Sequence, residues 1–468
     1  MSFPANFTWG AASSAYQIEG AWNQDGRGPT IWDTYCHARP TEGGPGFNPI
    51  KPNVYNGQTG DVACDHYNKY KEDVGIMKSI GLKAYRFSIA WTRVMPDGAG
   101  AVNAKGLDFY DRLVNELLAQ GITPYATLFH WDYPEALYRR GGWLNRESVK
   151  WFEDYTKAVA DRLGDRVKNW MTLNEPQVFL QFGHADAHNA PGLRLATREL
   201  LVACHHALMS HGVAVQVLRA RCKGVQSIGY APVCVTKYPA TDSPQDQMAA
   251  IDTMASVTER NIWNNTWYAD AIVKGHYPED GLKLFGADAP TLQPGDMELI
   301  SQKIDFIGVN IYEGTPMRMS ASGKPEAVER APTHPTTAFR WPVEPKSLHW
   351  GPRFTAERYK LPVYITENGM SGIDWVSMDG KVHDPQRIDF TRRYLLELRN
   401  AIRAGADIRG YFHWSILDNF EWSQGYKERF GLVHVDYTTQ KRTPKDSAYW
   451  YGKVIASNGA HLDQDPFQ

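Results

Sequence analysis

Eight short apolar segments recur along the chain, and helical sequence follows most of them. This alternation limits the fold more than any other feature of the sequence. Each segment is rich in apolar or β-branched residues, a pattern typical of strands buried on both faces of a parallel sheet. The strands are predicted at residues 7–9, 84–89, 123–131, 169–175, 226–236, 305–310, 363–367 and 409–417.

Helices are predicted in the intervals between these strands. They are expected at 61–81, 104–120, 145–163, 196–221, 244–274, 351–359 and 385–404, and from about Lys445. Residues 37–60, rich in Gly, Pro and Asn, are predicted to form a long surface excursion. Eight units without a linker of disordered composition predict an α/β fold. We expect a single (β/α)₈ TIM barrel over residues 1–468, with extended βα loops forming the active-site pocket.

Two doubly wound domains are the alternative architecture. It is disfavoured because no Gly-x-Gly-x-x-Gly motif follows the first predicted strand.

Charge and composition disfavour several classes of function. The 468 residues include 50 Lys and Arg against 52 Asp and Glu, so a net charge of −2 creates no general attraction to nucleic acid or an anionic membrane. No run approaches about 18 consecutive apolar residues, and the N-terminus shows no secretory signal pattern. The five cysteines form no Cys-x-x-Cys pair. We therefore expect a cytoplasmic protein with free thiols and no nucleic-acid or membrane partner. A homo-oligomer is left open.

Aromatic residues make up 12% of the chain, with 16 Trp, 24 Tyr and 18 Phe. Tryptophan and tyrosine offer flat apolar faces with polar edges, which suit sugar binding. A large aromatic core would give the same composition, so composition alone leaves both interpretations open.

Polar side chains gather at the C-terminal ends of the predicted strands, where barrels of this kind place their chemistry. Glu175 ends the fourth strand and Glu367 ends the seventh, so the two can converge across the barrel mouth. Hydrolysis of a glycosidic bond needs one carboxylic acid and one carboxylate, about 5–5.5 Å apart in a retaining enzyme. The other strand ends supply Arg86, His130, Trp131, Asn174, Asn310, Tyr312 and Trp414, with Glu421 and Trp422 just beyond.

The two carboxyl groups must differ in pKa for such a reaction. Arg86 and Tyr312 are the residues that we expect to keep Glu367 ionised, by charge and by hydrogen bonding. Asn174 and Pro176, on either side of Glu175, indicate a constrained turn that orients the acid.

Short motifs then occur in a fixed order along the chain. They are FTWG at 7–10, YQIEG at 16–20, YRFS at 85–88, TLFHWD at 127–132, TLNEP at 172–176, ITENG at 365–369, WS at 414–415 and DNFEW at 418–422. Together they resemble the motifs of family 1 glycoside hydrolases, the retaining β-glucosidase group. The resemblance covers nearly the whole chain.

The resemblance implies that Glu175 is the general acid/base and Glu367 the nucleophile of a retaining β-glucosidase. Such an enzyme would remove terminal non-reducing β-D-glucosyl residues, with galactosyl or fucosyl as open alternatives, through a covalent glycosyl-enzyme intermediate. The mechanism needs no cofactor and no metal. The implied ligands are small β-glycosides and short β-linked oligosaccharides such as cellobiose.

The resemblance also assigns supporting roles. Arg86, Asn310 and Tyr312 would support the two carboxylates. The substrate-binding residues would be Gln17, His130, Trp131, Asn174, Trp341, Trp414, Glu421, Trp422 and Phe430.

Two alternative functions stay open on the same scaffold. A 6-phospho-β-glucosidase is disfavoured because a carboxylate at Glu421 would repel phosphate, although Lys427 and Arg429 lie nearby in the sequence. A catalytically inactive sugar-binding relative is disfavoured because both glutamates are present.

The chain departs from the family pattern in two places. Ile311 replaces a common aromatic residue beside Tyr312, and the segment 182–192 is unusually rich in histidine. We expect that segment and Trp341 to line the aglycone side of the pocket.

Overall fold

The computed structural model describes residues 2–38, 53–224 and 227–465, and in this part of the chain eight parallel strands close into a barrel. Each strand pairs with the next in the sequence, and the first pairs with the last. The predicted (β/α)₈ TIM barrel is therefore confirmed. The strands are β1 (Thr8–Ala12), β2 (Ala84–Ser88), β3 (Thr123–Phe129), β4 (Asn169–Asn174), β5 (Ser227–Ala231), β6 (Phe306–Asn310), β7 (Val363–Asn368) and β8 (Ile408–Trp414).

Long helices alternate with these strands and cover the barrel. Ala104–Ala119 is amphipathic: its residues Leu107, Tyr110, Val114 and Leu117 recur at helical spacing and are all buried. The long helices are His66–Ser79, Ala104–Ala119, Ser148–Leu163, Thr197–Arg221, Pro244–Ala255, Thr266–Lys274, Ser347–Tyr359, Pro385–Arg403 and Asp446–Ala456.

Shorter elements occupy the loops that follow the strands. The short helices include Ala15–Ile18, Ile31–His37, Trp91–Val94, Glu135–Tyr138, Pro176–Leu180, Glu279–Phe285 and Asp296–Ile300. Two small sheets consist of Lys237–Pro239 with Thr315–Met319 and Pro325–Ala327, and of Val433–Val435 with Arg442–Pro444. Most of the predicted excursion at 37–60 lies outside the described residues.

The single helix predicted at 244–274 is wrong. Two helices occupy that stretch, and residues 256–265 between them leave the helical conformation. Asparagine side chains satisfy the backbone here in place of helical bonds. Asn265 Nδ2 donates to Met254 O at 3.2 Å, Asn261 Oδ1 accepts from Trp263 N at 2.9 Å, and Asn264 Oδ1 accepts from Trp267 N at 2.9 Å. Asn265 also bonds both backbone groups of Val235, which ties the stretch to a distant segment.

Among the described residues, the helix Thr197–Arg221 is long and apolar enough to cross a membrane by composition. It instead packs inside the fold, where 89% of its most apolar window is buried. Its histidines have protein partners: His205 Nε2 lies 3.0 Å from Asp296 Oδ2, and His211 Nδ1 lies 2.6 Å from Thr172 Oγ1.

Aromatic side chains from the strands pack together in a separate apolar cluster. Tyr125 and Phe412 pack with ring centroids 4.9 Å apart, and Phe306 and Tyr364 with centroids 5.0 Å apart. Gly10 makes room for Phe412, because a Cβ at residue 10 would lie 2.6 Å from that ring. The polar residues at the strand ends therefore stand above an apolar, closely packed base.

A set of six buried or half-buried charges, here called the ionic cluster, lies beside the C-terminal ends of β7 and β8. Lys445 Nζ contacts Asp374 at 2.5 Å and Asp418 at 2.7 Å. The cluster joins the loops after β7 and β8 to the N-terminal ends of the helices Pro385–Arg403 and Asp446–Ala456, so it fixes the backbone that carries residues 414–422. Its members are Asp374, Asp384, Arg387, Asp418, Arg429 and Lys445.

Candidate active site

Glu175 and Glu367 stand at the ends of β4 and β7, each just after a register irregularity. The pairing of β4 with β5 shifts between Met171 and Asn174, and that of β7 with β6 shifts between Ile365 and Glu367. Irregularities of this kind re-aim side chains and are common beside active sites.

Glu175 itself has a left-handed backbone, with φ 45° and ψ 64°. Its N–H donates to Ala231 O at 2.7 Å, which fixes the residue against β5. A left-handed non-glycine residue costs about 1–3 kcal/mol, so the surrounding structure holds Glu175 in this orientation.

Arg86 and Tyr312 hold the carboxylate of Glu367. Arg86 Nη1 donates to Glu367 Oε1 at 2.6 Å, and the Tyr312 hydroxyl donates to Oε2 at 2.7 Å. A second nitrogen of Arg86, Nη2, donates to Asn174 Oδ1 at 2.6 Å. One buried guanidinium therefore connects the end of β7 with the end of β4.

Asn310 at the end of β6 holds the carboxyl group of Glu175. Its Nδ2 donates to Glu175 Oε1 at 2.8 Å and to Asn174 Oδ1 at 3.0 Å. The Thr366 hydroxyl donates to Asn310 Oδ1 at 2.6 Å and so fixes the orientation of this amide. The hydrogen bonds of Asn174 and Asn310 therefore connect Glu175 with Arg86, the residue that holds Glu367.

The two carboxyl groups have different electrostatic surroundings. Burial, and then the charge of Glu367, raise the pKa of Glu175 well above its usual value. Burial also raises the pKa of Glu367, but the charge of Arg86 and the hydrogen bond from Tyr312 oppose that effect. At neutral pH the site therefore favours a protonated Glu175 beside an ionised Glu367, because their partners separate the two pKa values.

Aromatic rings surround the two glutamates. Trp414 is stacked on His130, with ring centroids 5.7 Å apart and an interplanar angle of 17°. Trp131 packs on Trp422 at 4.5 Å and donates its indole N–H to Asn174 O at 3.0 Å. Burial, and then the charge of Arg86, keep the pKa of His130 well below its usual value, so the imidazole is neutral.

Glu421 is a third carboxyl group in the site. Burial, and then the charges of Glu367 and Glu428, raise its pKa to about 8. Gln17 Nε2 donates to Glu421 Oε2 at 3.2 Å and to Phe420 O at 3.0 Å, which fixes the carboxyl group from behind.

These side chains face one large cavity of about 1570 Å³. Gln17, Arg86 and Asn174 instead support the wall from behind through the hydrogen bonds described above. The sequence-predicted residues that line the cavity are His130, Trp131, Glu175, Asn310, Tyr312, Trp341, Glu367, Trp414, Glu421, Trp422 and Phe430.

The cavity wall also holds five aromatic residues that were not predicted from the sequence: Tyr35, Tyr55, Tyr138, Trp263 and Phe339. Phe339 packs on Trp341 with ring centroids 4.4 Å apart, and Trp263 stacks on Phe182. Phe339 lies two residues before the predicted Trp341, and this spacing could have indicated that both rings face the same wall. Trp263 was hidden because it lay inside the single helix predicted at 244–274.

The family model of glycosyl hydrolase family 1 matches residues 1–460. The chain belongs to this family. It is therefore a glycoside hydrolase, and the resemblance seen in its motifs is confirmed.

Relatives from several bacteria match over nearly the full length. "Beta-glucosidase A" of Thermotoga maritima is 44% identical over 98% of both chains. "Beta-glucosidase A" of Acetivibrio thermocellus is 42% identical over 98% of this chain and 99% of the relative. A solved family 1 β-glucosidase from T. maritima superposes with a TM-score of 0.87, at 44% identity and 99% coverage of both chains.

Proposed function

We propose that this glycoside hydrolase is a retaining β-glucosidase acting on small β-glycosides and short β-linked oligosaccharides. The observation that carries the proposal is the pair of buried carboxyl groups, Glu175 and Glu367, held in unlike surroundings by one network of hydrogen bonds. The names of the relatives support it, as does the T. maritima enzyme solved in complex with glucoimidazole.

In the first step, Glu367 attacks the anomeric carbon while the glycosidic C–O bond breaks. Glu175 gives its proton to the departing oxygen, so the aglycone leaves as a neutral alcohol and the sugar becomes an ester of Glu367. Arg86 and Tyr312 keep Glu367 ionised before the attack. Proton donation matches the raised pKa of Glu175.

In the second step, the deprotonated Glu175 takes a proton from water. The resulting hydroxide attacks the anomeric carbon from the side that the aglycone left, and the ester bond to Glu367 breaks. Two inversions at one carbon give net retention. Loss of the negative charge on Glu367 in the intermediate lowers the pKa of Glu175, because that charge contributed to raising it.

We further propose that hydroxyl-specific contacts select the sugar. His130, Glu421 and Trp422 would bind the hydroxyls, and Trp414 would form the stacking floor. Gln17 and Asn174, which were predicted to bind the sugar themselves, would instead hold Glu421 and His130 in place through hydrogen bonds of 3.2 Å and 3.0 Å. Trp131 and Phe430 would complete the walls, and Trp341 would face the aglycone. An epimer that leaves one of these buried polar groups unpaired would be rejected.

The 6-phospho alternative loses support from the contacts of its basic residues. Arg429 Nη1 lies 2.7 Å from Asp418 Oδ2 inside the ionic cluster, and Lys427 Nζ lies 3.6 Å from Glu428 Oε1. Glu421 stands in the cavity wall where a phosphate would need a cation. The inactive-relative alternative loses support because both carboxyl groups are in place.

We also propose a single catalytic domain located in the cytoplasm. The cysteines Cys36, Cys64, Cys204, Cys222 and Cys234, all among the described residues, are free thiols, which suits a reducing compartment. The balanced charge supports small neutral glycosides as ligands, without nucleic acid or membrane. Light scattering would decide between a monomer and a homo-oligomer.

A panel of aryl β-glycosides tests the function. We expect hydrolysis of the β-glucoside, no reaction with the α-glucoside, and little with the 6-phospho-β-glucoside. Proton NMR of the first product formed should show the β-anomer before mutarotation. Formation of the α-anomer first would contradict the retaining mechanism, and preference for the phosphorylated substrate would favour the alternative.

A further inference from the structure

The cavity is larger than one sugar requires. Its volume of about 1570 Å³ exceeds the roughly 300–1,000 Å³ of ordinary ligand pockets. Besides the rings around the two glutamates, its wall carries an aromatic pair of Phe339 with Trp341 and another of Phe182 with Trp263.

The first pair lies beside the inner site. Trp341 packs on Tyr312 with ring centroids 5.1 Å apart, and Tyr312 hydrogen-bonds Glu367. This pair therefore faces the first sugar or aglycone beyond the bond to be cleaved.

The second pair, here called the outer platform, consists of Phe182 and Trp263. Their rings are stacked, with centroids 5.1 Å apart and an interplanar angle of 23°. Both residues are half-buried and line the cavity, so part of their aromatic surface faces the opening. Phe182 also contacts the ring of His188 at 6.3 Å, on the segment that forms the cavity rim.

Hydrogen bonds fix the segments that carry the two rings of the outer platform. Asn261 Oδ1 accepts from Trp263 N at 2.9 Å, and Gln181 Oε1 accepts from Ile262 N at 3.4 Å. The break in the helix predicted at 244–274 thus brings Trp263 to the cavity wall.

The platform is also connected to Glu175. Gln177, on the short helix that Glu175 begins, donates from Nε2 to Asn264 O at 3.3 Å and to Val233 O at 3.0 Å. The stacked pair therefore has a fixed position relative to Glu175, and a ligand that uses it would bind a pre-organised surface.

The neighbouring polar groups favour a neutral ligand. Lys237 and Glu313 line the same cavity with opposite charges, and Lys237 Nζ donates to Thr315 Oγ1 at 3.1 Å. A flat aromatic surface in a cavity that also offers hydrogen-bond donors and acceptors matches a pyranose ring with its hydroxyls.

We propose that the outer platform binds the third sugar ring of a β-linked oligosaccharide, beyond the two rings that flank the scissile bond. This inference rests on the proposed β-glucosidase activity and deepens it. It assigns to Trp263 and Phe182 a role in chain-length preference: trisaccharides and longer chains gain a contact that disaccharides cannot reach.

The test compares kcat/KM for cellotriose and cellobiose in the wild type, Trp263→Ala and Phe182→Leu. We expect the ratio of cellotriose to cellobiose to fall about five- to tenfold in Trp263→Ala, as for the loss of one aromatic contact. Phe182→Leu should lower the ratio less, because Trp263 is retained. Trp375→Ala is the matched control, since Trp375 is 67% exposed outside the cavity lining.

An unchanged ratio in both platform variants would overturn the inference, as would an equal fall in the control. Calorimetric binding of cellotriose separates this failure from that of the proposed activity. If the wild type hydrolyses neither substrate, the proposed β-glucosidase activity is wrong. Tighter binding of cellotriose to the wild type than to Trp263→Ala would still support the outer platform. Equal binding to both would reject it. Thermal melting of each variant identifies any loss of folding.

Discussion

The active site and the ionic cluster are two buried groups of charges that lie close together but are built differently. In the site, burial raises the pKa of Glu175, Glu367 and Glu421, and the positive charge of Arg86 opposes this effect only at Glu175 and Glu367. In the ionic cluster, three aspartates are matched by three basic residues.

The matched charges oppose the effect of burial on the pKa of the aspartates. Burial alone would raise the pKa of Asp374, but Arg387 and Lys445 overcome it and lower the value to about 2. Burial with an excess of carboxyl groups therefore favours the protonated acid in the site, whereas balanced pairs fix a loop in one position in the ionic cluster. Substitutions that change either balance test this account.

The largest expected effect comes from Glu367→Gly. Without the nucleophile, we expect kcat for an aryl β-glucoside to fall about 10⁴-fold or more. Added azide should restore turnover and give a glucosyl azide, because a small anion fits the space that the side chain leaves. Azide should not accelerate the wild type. A variant that stays inactive at every azide concentration would argue against Glu367 as the nucleophile.

Glu175→Ala should have an effect that depends on the leaving group. Loss of the proton donor is expected to slow glycosylation about 10²–10⁴-fold for substrates with poor leaving groups. Substrates with good leaving groups need little protonation, so their first step should be spared. The measurement is kcat/KM across a series of aryl β-glucosides. Equal losses along the whole series would exclude the acid role.

Lys445→Met should unbalance the ionic cluster. Lys445 is fully buried between Asp374 and Asp418, so its loss leaves excess negative charge in the interior. We expect the free energy of unfolding to fall by about 3–5 kcal/mol in urea titrations. Lys150→Met is the matched control, because its exposed i,i+4 pair with Asp154 contributes only about 0.5 kcal/mol. Equal losses in the two variants would contradict the distinction between the regions.

Asp132 offers the smallest and most specific test. Within the described residues, neither of its buried carboxylate oxygens has a hydrogen-bond partner on another residue. Burial raises its pKa to about 7, with Arg27 opposing the effect and Glu19 adding to it. The unfolded pKa is about 3.9, so this group's contribution to stability is present below pH 4 and is lost as pH rises towards 7.

Asp132→Asn should therefore be more stable than the wild type by about 1–3 kcal/mol at pH 8. The difference should shrink towards pH 4, because the aspartate is then protonated in the folded state and becomes increasingly protonated in the unfolded state. Urea unfolding of both proteins at pH 4.5, 6 and 8 checks this. A difference independent of pH would show that Asp132 does not change its protonation on folding.

The sequence predicted the barrel well because the relevant signals are local. Buried strands appear in the sequence as apolar runs, and both glutamates lie at the ends of such runs. Strand pairing could not be read in the same way, because the irregularities before Asn174 and Glu367 depend on partner strands. The break at 256–265 was missed because Asn265 is satisfied by Val235, a residue distant in the sequence.

Most of the predicted site residues were identifiable from their motifs, but their arrangement was not. No local pattern indicates that Gln17 and Arg86 support the cavity wall from behind while His130 lines it. The separation of the two carboxyl groups stays a prediction of about 5–5.5 Å. The position of Trp263 in the cavity wall was not predicted, because it stacks on Phe182, a residue from a distant segment of the sequence.

Covalent trapping identifies the nucleophile directly. The wild type would be incubated with an activated 2-deoxy-2-fluoro-β-glucoside, which slows hydrolysis of the intermediate more than its formation. We expect time-dependent inactivation, a mass increase of one fluoroglucosyl group, and the label on the peptide containing Glu367. A label on Glu175, or turnover without any trapped intermediate, would contradict the assignment of Glu367 as the nucleophile.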